Sequence, residues 1–419
     1  MMPLYVKNIK RALKMPPANL EEIITDIKRI GFNEWLSHAL VAAFKDARKG
    51  KLKTHDEHSF EVNWMQNITK LQTSILECTY EPSASVAFVI FEPMIREIFA
   101  APFRDRIVHH FLYNMQAGWW DRRFIYDSYS CREYKGTLFG IKRAQKLMRQ
   151  ASAGGAKEAY IVKLDLKGYF MSLPRTKLYA RVRWGLDQQF KDYKNDPAGY
   201  RLYRTCDYLW RKILFDDPAS KAWRRGSIHN WDPDVLPPEK SLFTQQPGYG
   251  IVIGNLTSQL VSNIYLDQLD RFVKFDLGYK YYGRYVDDFF IIVPATEYAK
   301  VKTDIKKIEV FLKSELGLTL HTKKRYYQPV EKGMSFLGAR VYLNALYPSD
   351  RLQKKFHISA EKFAYGYKDV DSIISYLGLM KHLDAHKYLE RAFDNMGWDY
   401  HAPGENKNCG KKPKKEKGD

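Results

Sequence analysis

YYGRYVDDFFIIV, residues 281–293, places two adjacent carboxylates, Asp287 and Asp288, inside an aromatic and β-branched run. Such flanks favour two β-strands joined by a tight turn at the acidic pair. Two carboxylates on one turn repel each other, and burial of the flanks makes their ionised forms costly unless cations neutralise them. A solvated surface turn is the ordinary alternative. The apolar flanks favour a cation site on a β-hairpin.

A third carboxylate, Asp165, lies upstream in IVKLDLKGYF, residues 161–170. The apolar run predicts a buried strand that continues into a turn at Gly168. An aspartate at the end of a strand is often a simple cap. If the fold brings Asp165 and Asp287 together, however, they form a pocket of hard oxygen ligands that suits Mg²⁺. Two such ions about 4 Å apart can activate a 3′-hydroxyl and stabilise a leaving pyrophosphate.

Composition sets the class of protein and of partner. The chain has 419 residues, of which 45% are hydrophobic and 15% aromatic, so it can bury a full core divided among two or three subdomains. Its 68 lysines and arginines exceed its 48 aspartates and glutamates by 20, which indicates a polyanionic partner such as nucleic acid. A merely basic soluble protein is the alternative.

The cysteine spacing and the apolar runs bear on the cellular compartment of the protein. The four cysteines have no CxxC spacing, so neither a zinc site nor a disulfide framework is predicted, and a reducing compartment fits best. The N-terminal MMPLYVKNIKRALKMPP lacks the apolar core of a signal peptide, and the chain has no run of about 18 apolar residues. We therefore expect neither export nor membrane insertion.

Hydrophobic periodicity predicts the remaining elements. Residues 19–49 read as two helices that break at Gly31, and the polar stretch at about 185–250 reads as a long connection or insertion. The other predicted elements are a β-rich segment at 85–101, helices from Arg104 to about Trp120, at 256–278, at 297–316 and at 369–395, and a strand pair near 334–344.

The order of the motifs resembles the reverse transcriptases. Asp165 with Phe170 five residues later, GNLTSQ (254–259), YVDD (285–288), LGLTLHTKKR (316–325) and MSFLGARVY (334–342) are similar to palm motifs A to E of that family, in order. Upstream, REIFAAPFRDRIVHHFLYN (96–114) and RRFIYDSYSCREYKGT (122–137) resemble the fingers motifs of bacterial retroelement enzymes. The resemblance covers about residues 90–345, with a weaker echo at 369–395.

The resemblance implies an α+β right-hand polymerase with fingers, an antiparallel-sheet palm and a small helical thumb. The implied divisions are an N-terminal helical extension at 1–88, fingers at 89–160, a palm at 161–345 with an insertion at about 185–250, a thumb at 346–400 and a disordered basic tail at 401–419.

The resemblance also implies catalytic roles. Asp165 and Asp287 would ligate both Mg²⁺ ions, and Asp288 would support the pair. Lys324 matches a motif D lysine that can act as a general acid toward pyrophosphate, although it can equally contact a duplex. Phe170 would lie under the sugar of the incoming nucleotide and exclude a 2′-hydroxyl, which favours dNTPs. A plain core phenylalanine is its alternative.

The nucleotide-binding positions match less uniformly. Arg96 and Arg132 match fingers positions that would hold the triphosphate. The alternative is that each is a surface arginine. Motif B keeps Gly254 but has Gln259 where many members have proline. Further departures are Ile253 in place of the usual glutamine, which could loosen base selection, and Met94 in place of a fingers lysine, for which Lys135 could substitute.

This IGxxxSQ form of motif B most resembles the diversity-generating retroelement enzymes and defence-associated bacterial reverse transcriptases. The expected activity is RNA-directed DNA synthesis from dNTPs on a noncoding RNA template, in the bacterial cytoplasm, with an accessory protein or homo-oligomer left open. The 185–250 stretch and the lack of an obvious accessory domain favour phage defence over sequence diversification. Two alternatives remain: an RNA-binding scaffold with a vestigial site, against which the intact carboxylates and Phe170 argue, and protein-primed or untemplated nucleotide addition.

Overall fold

The computed structural model describes residues 19–49, 54–92, 94–366 and 370–395. Helices and antiparallel sheets alternate irregularly along the chain, which gives a mixed α+β architecture. The helices, numbered α1 to α15, are Leu20–Ile30, Phe32–Arg48, His55–Val62, Trp64–Leu76, Phe103–Asp121, Thr137–Ala151, Tyr169–Ser172, Arg175–Gln189, Pro197–Phe215, Pro218–Lys221, Leu256–Arg271, Tyr298–Phe311, Asp350–Ala364, Val370–Met380 and His386–Asn395.

The strands form three sheets. The strands, numbered β1 to β10, are Val86–Ile90, Arg96–Ala100, Ala159–Asp165, Trp223–Arg224, Tyr281–Tyr285, Asp288–Pro294, Tyr326–Pro329, Met334–Phe336, Ala339–Val341 and Leu346–Pro348. The central sheet has the order β5-β6-β3-β7 and is antiparallel throughout, while the two smaller sheets have the orders β2-β1-β4 and β10-β9-β8.

The central sheet is buried on both faces, and alternate residues pack into different cores. Val162 and Leu164 of β3 join one cluster, together with helices from the N-terminal part of the chain. Ile161 of β3, with Phe290 and Ile292 of β6, joins a second cluster that includes α6 and β8 to β10. Because side chains alternate between the faces of a strand, Asp165 and Asp288 belong to the second face. The carboxylates therefore extend the face that meets α6 and β8.

The predicted N-terminal helices, the β-rich segment and the helix that follows it are confirmed. α1 and α2 break at Gly31, whose φ of 84° is a conformation that favours glycine. The β-rich segment forms the antiparallel pair β1 and β2, and the helix predicted from Arg104 to about Trp120 is α5. α2 packs against α5 across a buried aromatic contact between Trp35 and Phe111.

The prediction of a long connection at 185–250 was wrong for its first half. α9 spans Pro197–Phe215, and its Leu202, Cys206 and Leu209 are buried. The Asp196 carboxylate accepts hydrogen bonds from the first backbone N–H groups of this helix, and proline occupies its first position. The cap and the apolar spacing were visible in the sequence. Irregular chain begins only after α10, and there β4 pairs with β1.

The C-terminal helical prediction is confirmed for the described residues as two helices, α14 and α15, which contribute Ile373, Met380 and Leu389 to the second core. The predicted basic tail at 401–419 lies outside the described residues. Within the described ranges, no helix is both long enough and apolar enough to cross a bilayer.

Candidate active site

The three predicted carboxylates meet at one end of the central sheet. Asp165 is the last residue of β3 and lies directly opposite Asp288, the first residue of β6. Tyr285 pairs with Asp288, so Val286 and Asp287 form the two-residue turn of the β5–β6 hairpin. The backbone N–H of Leu166 donates to the Asp287 carbonyl oxygen at 3.3 Å, which fastens the turn to the end of β3. The hairpin predicted from residues 281–293 is confirmed.

The turn that carries Asp287 has a strained backbone. Val286 has a φ of 55°, which a β-branched residue seldom adopts and which costs about 1–3 kcal/mol. Two polar groups hold it in place. The Val286 N–H donates to Ser130 Oγ at 3.2 Å, and Arg284 Nη1 donates to the Val286 carbonyl oxygen at 2.9 Å.

A buried ion pair underlies that turn. Arg284 and Asp270 are both fully buried, and the guanidinium donates Nε to Asp270 Oδ1 at 2.6 Å and Nη2 to Oδ2 at 2.7 Å. Tyr282 Oη donates to the same carboxylate at 2.6 Å. Bidentate geometry with extra hydrogen bonds compensates for the desolvation of both charges. α11, which carries Asp270, is thereby linked to the β5–β6 hairpin.

Two lysines face the carboxylates in different ways. Lys324 Nζ lies 2.5 Å from Asp165 Oδ2, but the lysine side chain is 55% exposed. Lys163 Nζ lies 2.9 Å from Asp288 Oδ2, and this lysine is only 16% exposed. Lys324 can therefore leave its partner at low cost, whereas Lys163 is held in place by its surroundings.

The electrostatics of the site disfavour three ionised carboxylates. Burial, followed by repulsion from Asp165, raises the pKa of Asp287 to about 6. Burial also raises the pKa of Asp288 to about 6, against the opposing effect of Lys163. Negative charge is thus concentrated beyond what the neighbouring lysines neutralise, as expected where carboxylates share a cation.

The donor set fits a divalent cation. Hard carboxylate oxygens are the ligands that Mg²⁺ prefers, and within the described ranges the buried Asp288 Oδ1 has no hydrogen-bond partner. His321 donates its backbone N–H to the Asp165 carbonyl oxygen, and its buried Nδ1 has no hydrogen-bond partner among the described residues. Among the described residues, no three His, Cys, Asp or Glu side chains converge on a preformed metal position. A cation that takes Asp165 Oδ2 as a ligand must displace Lys324 from it.

Phe170 lies in a short helix that was not predicted, and Gly254 lies in the loop before α11. Phe170 is partly buried in the short helix α7. Gly168, which precedes this helix, has a left-handed backbone conformation, and the Phe170 ring contacts the Tyr169 ring edge-on. The Phe170 carbonyl oxygen accepts the Ile251 N–H at 2.9 Å. Gly254 has a φ of 130°, and a Cβ there would lie 2.8 Å from the Phe99 carbonyl oxygen, so only glycine fits between this loop and β2.

The remaining nucleotide-binding candidates differ in accessibility. Arg96 begins β2 and Gln259 lies in the first turn of α11, and both are exposed. The Arg132 side chain is only 6% exposed. Its guanidinium donates to Asp121 Oδ1 and to the carbonyl oxygens of Asp121, Ile125 and Ser128. In this conformation Arg132 fastens its own loop, and its binding of a triphosphate stays a prediction.

Sequence reasoning missed Lys163, Arg284 and Asp270, the partner of Arg284. Lys163 lies two residues before Asp165, so strand alternation alone places it on the same face as the carboxylates. Arg284 is a charged residue inside an otherwise aromatic strand, which signals a buried partner. No sequence pattern identifies that partner as Asp270, because the pairing depends on how α11 packs against the hairpin.

The sequence matches no protein-family model and no curated protein. Among solved structures, a telomerase from Candida albicans in complex with a fragment of telomeric RNA aligns over 82% of this chain and 60% of its own, at 10% identity and a TM-score of 0.42. An apo telomerase from Candida tropicalis aligns over 80% and 63%, at 10% identity and 0.44. The same protein truncated from its C-terminal domain aligns over 64% and 55%, at 13% identity and 0.43.

The chain therefore spans between 55% and 63% of the length of these structures. Likeness at this level identifies no function for this chain.

The raised pKa of Asp287 predicts how stability depends on pH. The folded state holds this proton to a higher pH than the unfolded state, so the ionised carboxylate lowers the free energy of unfolding as pH rises from about 4 to above 6. We expect Asp287→Asn to stabilise the metal-free protein by about 1–3 kcal/mol at pH 7.5, with the gain vanishing near pH 4. Urea unfolding in EDTA at both pH values measures this. The exposed Asp192→Asn is the control, and equal effects of both variants would contradict the prediction.

Proposed function

We propose that this chain is an RNA-directed DNA polymerase with a right-hand arrangement of fingers, palm and thumb, divided as the resemblance implies. One observation carries the proposal: Asp165 and Asp288 face each other across adjacent antiparallel strands, with Asp287 on the connecting hairpin turn. These are the residues that the resemblance assigns to motifs A and C. They come together although they are far apart in the chain.

Asp165 and Asp287 would hold two Mg²⁺ ions, with Asp288 in support. When bound, such ions supply activation of a primer 3′-hydroxyl and charge stabilisation at the leaving pyrophosphate. The protein contributes rigidity. The Arg284–Asp270 pair and Ser130 hold the turn that aims Asp287, so the carboxylates need little reorganisation when a substrate arrives.

Lys324 supplies a mobile positive charge. Its contact with Asp165 occupies a carboxylate that a cation would need, and its exposure lets it move away without a large desolvation change. Once released, the ammonium can neutralise the pyrophosphate or transfer a proton from Nζ to a pyrophosphate oxygen. Contact with the nucleic acid duplex is the alternative role for this lysine.

The partners follow from charge and from the resemblance. A formal charge of +20 suits a template RNA, its DNA product and dNTPs. Copying of a dedicated noncoding RNA in bacterial phage defence is the setting we favour over sequence diversification, and cytoplasmic location follows from that setting. Sequencing of the RNA that copurifies with the protein, and of any cDNA made on it, separates the two settings.

Primer extension tests the activity. The purified protein is incubated with a DNA primer on an RNA template, dNTPs and Mg²⁺, with a matched DNA template and an EDTA reaction as controls. We expect templated extension that EDTA abolishes. RNA binding without incorporation of any nucleotide would overturn the proposal in favour of an RNA-binding scaffold, and incorporation independent of template sequence would favour untemplated addition.

Phe170 should determine the choice of sugar. If its ring occupies the space of a 2′-hydroxyl, the overlap costs about 1–3 kcal/mol, taking core overpacking as a guide. We therefore expect Phe170→Val to lower the preference for dNTP over NTP by about ten- to a hundredfold. Single-nucleotide extension with dNTP and the matching NTP on one template measures the ratio. Phe190→Val, in a buried phenylalanine at the end of α8, is the control and should leave it unchanged. An unmoved ratio in the Phe170 variant would make that residue only a core residue.

A further inference from the structure

Lys163 connects the carboxylate cluster to the β8–β9 hairpin, and the proposed function gives this lysine no role. It lies in β3 two residues before Asp165, opposite Phe290 of β6 and Tyr326 of β7. Its ammonium makes two contacts at once, with Asp288 Oδ2 at 2.9 Å and with the carbonyl oxygen of Ser335 at 2.8 Å. Two acceptors on different elements fix the position of the ammonium far better than one would.

The first contact divides the Asp288 carboxylate into two unequal oxygens. Oδ2 contacts the lysine, while Oδ1 is buried and has no hydrogen-bond partner among the residues that the structure describes. Asp287 differs, because it has no ion pair within 4 Å in the described part of the chain. The three carboxylates are therefore not equivalent toward a cation. Asp165 has an exposed, displaceable lysine, Asp287 has none, and Asp288 has a lysine that is only 16% exposed.

The second contact reaches a different sheet. Ser335 is the middle residue of β8, which pairs with β9 and belongs to the β10-β9-β8 sheet. The lysine ammonium also lies 5.7 Å from the centre of the Phe336 ring, within the range of a cation–π contact. Any shift of the β8–β9 hairpin therefore moves an acceptor of the same ammonium that holds Asp288.

We propose that Lys163 is a positioning residue that ties the β8–β9 hairpin to the catalytic carboxylates and keeps Asp288 directed toward its ammonium, so that Asp165 and Asp287 are the principal cation ligands. The proposal rests on the proposed function, since it assigns unequal roles within that site. The physical reason is the positive charge that Lys163 adds to the site. One fixed positive charge beside Asp288 lowers the affinity of the site for a divalent cation and prevents a third carboxylate from closing around it.

Mn²⁺ binding measured by electron paramagnetic resonance, without nucleotide or nucleic acid, tests whether the Lys163 charge lowers the affinity of the site for a divalent cation. We expect Lys163→Met to bind Mn²⁺ about three- to tenfold more tightly than wild type at pH 8, because the neutralising charge is gone. Lys163→Arg, which keeps the charge, should retain the wild-type affinity. The exposed Lys381→Met has the same change in net charge and should also leave the affinity unchanged.

Kinetics supply the second readout. We expect Lys163→Met to lower kcat for single-nucleotide extension about tenfold while changing KM for dNTP less than about threefold, because the misdirected Asp288 affects the reacting geometry more than nucleotide binding. Lys163→Arg should recover most of kcat. If the methionine variant does not fold, Lys163→Gln serves instead, since its amide can still donate to the Ser335 carbonyl without carrying a charge.

The two hypotheses fail differently. A wild-type protein that neither binds Mn²⁺ nor extends a primer would overturn the proposed function. A wild-type protein that does both, with unchanged Mn²⁺ affinity in the uncharged Lys163 variants, would overturn the positioning role alone. Loss of stability without a change in affinity would likewise make Lys163 a structural bridge only.

Discussion

Asp287→Asn is expected to reduce templated dNTP incorporation about a thousandfold or more while leaving the protein folded. Removing this carboxylate takes away a ligand from each of the two proposed Mg²⁺ ions, so several kcal/mol of transition-state stabilisation are lost. Each loss of about 1.36 kcal/mol lowers the rate about tenfold. The turn itself should persist, because its fastening bonds come from the backbone of Val286 and from the Asp287 carbonyl oxygen, not from the side chain.

Single-turnover extension on an RNA template, with rates normalised to folded protein by circular dichroism, provides the measurement. Asp192→Asn, an exposed aspartate outside the site, is the matched control and should extend at the wild-type rate. Wild-type incorporation by the Asp287 variant would remove the metal assignment. Because the same variant is expected to be more stable at neutral pH, a lost rate cannot be ascribed to unfolding.

Arg284→Met is expected to lower the free energy of unfolding by about 3–5 kcal/mol, which is among the largest effects of any single substitution here. The substitution leaves Asp270 fully buried without its cation, and it removes the donors to the Val286 carbonyl oxygen and to Ser128 Oγ. The strained turn at Val286 then loses one of its two polar supports. Extension activity should fall together with stability.

Urea unfolding with a linear extrapolation measures this change. Arg340→Met is the matched control, since Arg340 pairs with Asp350 in a surface ion pair whose side chains are 46% and 73% exposed, and its loss should cost less than about 1 kcal/mol. The double variant Arg284→Met with Asp270→Leu should recover part of the loss, because it removes the unpaired charge. A loss below about 1 kcal/mol in the single Arg284 variant would show that the pair contributes little.

The proposed mechanism and the Lys163 inference make the two lysines of the site distinguishable by experiment. Lys324 is exposed and its ammonium contacts Asp165, so its role requires movement. Lys163 is largely buried and meets two acceptors, so its role requires that it stay. Substitution of the first should act on steps that involve pyrophosphate, whereas substitution of the second should act on cation affinity in the resting protein.

Local sequence was sufficient to predict secondary-structure features that depend only on neighbouring residues. The aromatic and β-branched flanks of 281–293 predict a hairpin, and the hairpin places Asp287 in its turn and Asp288 at the start of the following strand. Gly31 breaks the first two helices because its positive φ favours glycine. α9 was predictable by the same kind of signal, the Asp196 cap before Pro197, and was overlooked because its polar surroundings suggested a loop.

Only the tertiary structure decided which distant residues meet. The register of β3 against β6 sets Asp165 opposite Asp288, and a slip of one residue would have turned Asp165 to the other face of the sheet. Packing of α11 selected Asp270 as the partner of Arg284, and packing of β8 placed the Ser335 carbonyl within reach of Lys163. The fold of the loop buried Arg132, whose guanidinium donates to the carbonyl oxygens of Ile125 and Ser128. Residue types and local spacing determine which chemistry is possible at each position, whereas partners and burial depend on contacts between segments whose relative placement is set by the packing of the whole core.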